Sequence, residues 1–217
     1  DSTRHTARQL NTLRSTWLGD SRVQLDFWTG RQEDAPCHAK LSLCLSLLER
    51  SLEQAVALGG EWLYDTKLTG PEAEAAFARV LSQKKLNMEQ QFIQQGNVYA
   101  ATRAGAHYYV EGAVTERCSG VSYYRFLCDV QQRGSWAALG EKLDVLRTEV
   151  LQQAQLTVSL HGSEEALARL RSLLPGSRFA AESRRDAVPY TEPLTPPVNE
   201  AFIIDGGVSY DVQAWPM

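Results

Sequence analysis

Apolar residues recur along the chain with two periods. Leu10, Leu13 and Trp17 stand three and four apart, which predicts a helix over about Thr6 to Leu18 with Gly19 and Asp20 as its stop. Val23, Leu25 and Phe27 then alternate with polar residues, and Leu41, Leu43, Leu45 and Leu47 alternate with Ser42, Cys44 and Ser46. A turn-rich stretch through Gly30, Asp34 and Pro36 separates the two runs. Period two on both sides of a turn predicts two half-buried antiparallel strands.

Helical spacing returns from Ser51 to Tyr64 through Leu52, Ala55, Val56 and Trp62. Gly70 and Pro71 mark a new start, because proline costs nothing where the first amides of a helix have no partner. A long helix is predicted from Pro71 to about Gln95, with Phe77, Val80, Leu81, Met88 and Phe92 on one side and a wide polar face toward solvent. Gly96 interrupts the pattern. One further helix is predicted to carry Tyr99, Arg103 and His107, and another to run from Ser122 to Val130. Trp136, Leu139, Leu143, Leu146 and Val150, spaced three, four, three, four, predict a helix that must pack on something.

Leu156, Val158 and Leu160 alternate as a strand, and Ser163 is placed to cap a helix that carries Glu164 and Glu165 in its first turn and ends at Pro175 and Gly176. Residues 177–199, rich in Pro, Arg, Ser and Glu, read as a linker, with Arg178, Arg184 and Arg185 in it as solvated charges. Phe202, Ile204, Val208, Tyr210 and Val212 then read as strands around an Asp205-Gly206-Gly207 turn. The expected class is α+β: an antiparallel sheet with helices on one face over 1–176, the linker over 177–199, and the opening strands of a further α+β unit over 200–217.

A formal net charge of -4, with basic residues scattered, argues against binding nucleic acid through its phosphates. No apolar run approaches the roughly 20 residues that span a bilayer, so no transmembrane segment is expected. Cys37, Cys44, Cys118 and Cys128 lack metal-ligand spacing and read as free thiols of a reducing compartment. The chain opens at Asp1 with no signal or transit segment, which suggests processing or a piece of something longer.

A zinc hydrolase needs two imidazoles on one helical face and a carboxylate to activate water. His5, His38, His107 and His161 have no second histidine within reach along the chain, and His107 with Glu111 makes only an isolated pair at helical spacing. Ser119 before Gly120 reads as a cap or turn, and Asp205-Gly206-Gly207 lacks the spacing and lysine of a phosphate loop. No catalytic or metal-ligating residue is expected in this chain, and no cofactor. Tyr123, Tyr124 and Phe126 with Arg125 between them can line a peptide-binding wall; the alternative is that one face of the cluster is core and the other surface.

Two segments carry a family resemblance: Gly96-Asn97-Val98-Tyr99-Ala100-Ala101-Thr102-Arg103-Ala104, and Cys118-Ser119-Gly120-Val121-Ser122-Tyr123-Tyr124-Arg125-Phe126-Leu127. Together they resemble the third domain of presequence proteases and falcilysins, in the pitrilysin and insulinase superfamily of zinc metallopeptidases. The order of elements on either side agrees, so the resemblance covers nearly the whole chain, with its specific part near the middle.

The resemblance implies a place in a four-domain clamshell that encloses unfolded peptides, with zinc in the first domain and an assisting Arg and Tyr in the fourth. None of those catalytic positions has a match here, and zinc is expected only in the catalytic half. This chain would supply chamber wall, with Tyr123, Tyr124 and Arg125 facing substrate. Its partners would be the remaining peptidase domains or companion chains, since a strand over Ala201 to Val212 without its sheet leaves an open edge. The compartment implied is the mitochondrial matrix or a plastid-like organelle. A second reading is an inactive structural subunit, derived from such a peptidase, in a large organellar complex; a third is a free-standing binding module.

Overall fold

The fold comes from a computed structural model, which describes residues 1–28, 38–153, 156–180, 194–205 and 207–215. The turn through Gly30, Asp34 and Pro36, together with Cys37, Arg184, Arg185 and Gly206, lies outside the described residues. The class is α+β, as expected. The chain forms two compact units of interleaved segments.

The first unit comprises Asp1–Asp26, Ala39–Glu74 and Ala137–Val188. Helix α1, Ala7–Trp17, opens with a capping box in which the Thr6 hydroxyl accepts from the Gln9 amide and the Gln9 side chain accepts from the Thr6 amide. Gly19 and Asp20 do not form the expected stop. Leu18 itself turns extended at φ -119° and ψ 141°, its N–H donates to the Arg14 carbonyl, and the chain passes straight into strand β1, Leu18–Trp28.

Strand β2, His38–Leu47, pairs with β1 in a two-stranded antiparallel sheet. Two strands alone are marginal in water and need a covering layer. Helix α2, Leu52–Tyr64, supplies it. A Cβ on Gly59 would stand 2.9 Å from Leu43 Cδ2, so the missing side chain lets the helix seat against the sheet. The cover is incomplete, for Val23, Leu25 and Leu41 are 38%, 50% and 46% exposed.

Leu52, Ala55 and Leu58 of α2 are buried, and α2 packs on α1 and on α8, Glu164–Leu173, through Ala166 and Leu170. The expected cap is present: Ser163 Oγ accepts from the Ala166 amide at 3.1 Å. Residues 156–160, expected as a strand, have no regular secondary structure. Leu156 and Val158 are 38% and 46% exposed, so their alternation does not mark a buried face. Arg178, expected as a solvated charge, stays largely exposed but also donates to the buried Asp65, and the Phe179 ring beside it meets Tyr64 edge to face at 5.9 Å.

Helix α7, Trp136–Gln153, forms where predicted, with Trp136, Leu139, Leu143 and Val150 half-buried and only Leu146 of the expected stripe turned out. Leu146 is 54% exposed, whereas Arg147 turns in, donating to the Thr66 carbonyl and to Asp144. A long side chain that buries its stem while its head finds acceptors displaces the leucine expected there.

The second unit comprises Phe27–His38, Ala75–Trp136 and Pro189–Met217. Helix α3, Pro71–Gln94, enters it at Ala75. Leu81 and Met88 of α3 form the core with Leu127 of α6, Val121–Arg133, and Phe92, Tyr99, Tyr123, Tyr124, Val130 and Trp136 pack around them. Val80, expected inside, is 62% exposed, since residues 81 and 88 already occupy the inward face one heptad apart. Gly134, at φ 62°, closes α6 in the left-handed conformation that glycine adopts without strain.

Between α3 and α6 stand two helices where one was predicted: α4, Gly96–Gly105, and α5, Val110–Ser119. His107 lies in the turn between them rather than on a helix, which removes the helical spacing expected for His107 and Glu111. Residues 194–205 and 207–215, expected to include opening strands, have no regular secondary structure. Side-chain contacts with α4 and α6 hold them, and none of these described residues joins the β1–β2 sheet.

Candidate functional site

The residues that gave the family resemblance gather in the second unit around Arg103. Tyr99 stands one turn before it on α4; its ring meets Phe92 edge to face at 4.6 Å, and its hydroxyl donates to Gln91 Oε1 at 2.7 Å. The guanidinium of Arg103 uses its two edges differently. Nη1 donates inward, to Ser122 Oγ at 3.2 Å and Glu116 Oε1 at 3.4 Å. Nε and Nη2 face the other way and form a fork on Glu200, at 2.5 Å and 2.8 Å.

Glu116 is 2% exposed and also accepts from the amides of Val121 and Ser122 at 3.3 and 2.9 Å. It therefore satisfies the N-terminus of α6, where free amides and the helix dipole favour an anion. A Cβ on Gly120 would lie 1.8 Å from Glu116 Oε2, so only glycine permits this cap.

The residues expected to face substrate divide between core and surface. Tyr123 and Tyr124 are half-buried against the Leu81, Met88 and Leu127 cluster. The Tyr124 hydroxyl donates to Glu89 Oε1 at 2.6 Å; that bond and burial push its phenol well above the usual range. Burial likewise raises Tyr123. Arg125 is exposed, with its guanidinium over the Phe202 ring at 5.5 Å. Phe126, 55% exposed, stacks on Tyr123 at 6.4 Å.

Residues 195–205 and 207–210 run along this face. His107 Nδ1 lies 3.1 Å from the Thr195 carbonyl and 3.0 Å from its hydroxyl. The bond from Arg103 lowers the Glu200 carboxyl below its ordinary range, with Arg125 and His107 adding to the positive field. The Tyr210 ring lies where a Gly96 side chain would be, at 2.7 Å from the Cβ position.

Glu116 and Glu200 went unnoticed in the sequence. Glu116 stands beside Arg117 and carries no apolar period, so it reads as surface charge; an acid four residues before a glycine that opens a helix was the available signal. Glu200 had none, being 97 residues from Arg103.

The first unit holds another buried acid. Ser2 Oγ donates to Glu61 and accepts from the Arg4 and His5 amides at 3.1 and 2.8 Å. His5 Nδ1 is 2.9 and 3.1 Å from the two Glu61 oxygens. Burial would raise this carboxyl, but hydrogen bonds from Ser2 and His5 outweigh it and lower the group. The Ser2 proton goes to Glu61 rather than to imidazole, so the arrangement ties the segment to α2 and does not activate a nucleophile. A cleft of 170 Å³ lies nearby, lined by Leu10, Arg14, Leu18, Leu58 and Trp62. Among the described residues no three His, Cys, Asp or Glu side chains group to hold a metal, and no helix is long and apolar enough to cross a membrane.

Residues 1–130 match the family model for the associated region of peptidase family M16, subfamily C. The chain belongs to this peptidase-associated family. The match supports a metallopeptidase-like chain of the pitrilysin type, an associated region of a larger peptidase. It takes in Gly96, Arg103, Glu116, Gly120 and Arg125, whereas Glu200 and the rest of the 194–215 segment lie beyond it. No curated protein matches the chain.

Proposed function

We propose that this peptidase-associated chain is the non-catalytic wall of a peptide-degrading zinc metallopeptidase of the presequence protease and falcilysin branch. The observation that carries the reading is the family match over residues 1–130. The two motif segments around Arg103 and Gly120 support the finer branch by their resemblance. Under this reading residues 1–176 belong to the third domain of the scaffold, 177–199 to a linker and 200–217 to the start of the fourth. Zinc and the catalytic residues lie in the other half, in the remaining domains or a companion chain. The substrates are unfolded peptides or cleaved presequences, and the compartment is the mitochondrial matrix or a plastid-like organelle. On the wall, Arg125 and Phe126 are the exposed members of the aromatic cluster, while Tyr123 and Tyr124 support them from the core.

Native mass spectrometry with peptide mapping of the native particle tests this. The expected result is a polypeptide bearing His-x-x-Glu-His in equal amount, either as a companion or continuous with this chain, with bound zinc and turnover of unfolded peptides. A set of unrelated subunits without zinc overturns the proposal and leaves a structural subunit of a large complex.

A further inference from the structure

The cleft of 170 Å³ in the first unit lies between α1, α2 and the sheet. Leu10 of α1, Leu18 and Leu45 of the strands, and Leu58 and Trp62 of α2 form its apolar wall. A cavity of about 150 Å³ with walls of this kind takes a benzene ring, so a phenyl group fits. Arg14 lines the same cleft and is held in place. Its guanidinium lies over the Trp62 ring at 4.4 Å, and Nε and Nη2 both donate to Ser21 Oγ, at 2.9 and 2.7 Å. Nη1 makes no hydrogen bond among the described residues, which leaves a fixed cationic donor beside an apolar space. Asp1, the acid in the lining, is taken up by the Ala7 amide at the start of α1. Asn11, exposed on α1, lines the cleft and also borders an open polar groove with Arg8, Thr12 and Thr16.

We propose that this cleft binds the C-terminal residue of a peptide that ends in an aromatic side chain. The ring fills the space between Leu18, Leu58 and Trp62, the free carboxylate takes Arg14 Nη1, and the residues before it lie along the α1 groove beyond Asn11. A fixed cation beside an apolar wall selects a ligand that carries both features at one end, which an internal aromatic residue does not. Each cut of a peptide chain leaves a fragment with a new free carboxylate, so the ligand class is a product of peptide hydrolysis. That link to hydrolysis rests on the function proposed above. Binding is measured without turnover, so its failure is read separately from zinc content and peptide hydrolysis.

The test is calorimetric titration of the full chain with the peptide Gly-Gly-Ser-Phe. Expected are saturable binding of this peptide and binding weaker by about tenfold or more for its C-terminal amide and for the same peptide ending in alanine. Arg14→Gln keeps a polar head toward Ser21 and should weaken the acid about tenfold while leaving the amide unchanged. Ala7→Phe fills the cleft from an exposed position and should abolish binding of the peptide. No saturable binding to the unaltered chain, equal binding of acid and amide, or equal binding of the alanine peptide overturns the proposal. Those comparisons need no variant, so they decide even if a substitution disturbs the fold. N-acetylphenylalanine is expected to bind about tenfold more weakly than the peptide, because it leaves the α1 groove empty. Equal affinity overturns the peptide as ligand and leaves a small aromatic acid in its place.

Discussion

Glu61 in the first unit and Glu116 in the second are both carboxylates withdrawn from water, 4% and 2% exposed, and each is neutralised by different chemistry. Glu61 takes a neutral hydroxyl from Ser2 and an imidazole from His5, both on the segment before α1. Glu116 takes a permanent cation from Arg103 and two amides at the start of α6. A buried charge must be paired or hydrogen-bonded, and both solutions meet that demand. They differ in what they tie together. The first fastens a short segment to one helix; the second fixes α4, α5 and α6 at a common point and preorganises the outer edge of Arg103.

The comparison breaks most sharply at Gly120. Gly120→Ala places a methyl on the Glu116 carboxylate and forces the acid out of its site, with an expected loss of about 3 to 5 kcal/mol, the cost of breaking a buried pair. Urea denaturation of the full chain measures it, and amide exchange should show α5 and α6 losing protection before α2 does. If α2 opens first, the division of labour between the two acids is wrong.

Glu61→Ala is expected to cost less, about 2 kcal/mol, because the partners it leaves are a hydroxyl and a 36%-exposed imidazole rather than a permanent cation. The loss should appear as faster exchange at residues 2–6, with the second unit unchanged. Acid titration gives a second reading on Glu61. The folded Glu61 carboxyl is lowered from an ordinary value near 4.5, so its stabilisation is present above that pH and is lost as pH falls through the folded value. Thermal melts should therefore fall more steeply below pH 4.5 for the unaltered chain than for Glu61→Gln; identical pH profiles would remove Glu61 from the account. The smallest effect is expected at Tyr99→Phe, about 0.5 kcal/mol by urea denaturation, since it removes a solvent-exposed bond to Gln91 and keeps the ring against Phe92.

Much of the fold was legible because its elements have their own periods. Helix α1 with its Thr6 cap, strands β1 and β2, α2, α3 and the Ser163 cap of α8 follow local rules of spacing and capping. The misses share a cause. Helix α5 buries Gly112, Val114 and Glu116, a face with no apolar period. Arg147 replaces Leu146 on the inner side of α7 because Thr66 and Asp144 offer it acceptors. Residues 201–212 alternate like strands, yet Tyr210 and Phe202 are engaged by Gly96 and Arg125.

The candidate site was legible in outline only. Tyr123, Tyr124 and Arg125 were noticed as a cluster, and the motif drew attention to Gly96, Arg103 and Gly120 without giving their roles. Those roles depend on partners far along the chain.

By itself, the sequence determined most of the helices, the paired strands, the α+β class and the peptidase family, because periodicity, caps and motif residues act over a few positions. Tertiary structure decided which acids are buried, which edge of Arg103 faces outward and what lies on it. Each of those outcomes depends on desolvation and on hydrogen bonds between distant residues, as between Glu61 and Ser2 or Glu200 and Arg103, and such pairings leave no periodic trace in the chain.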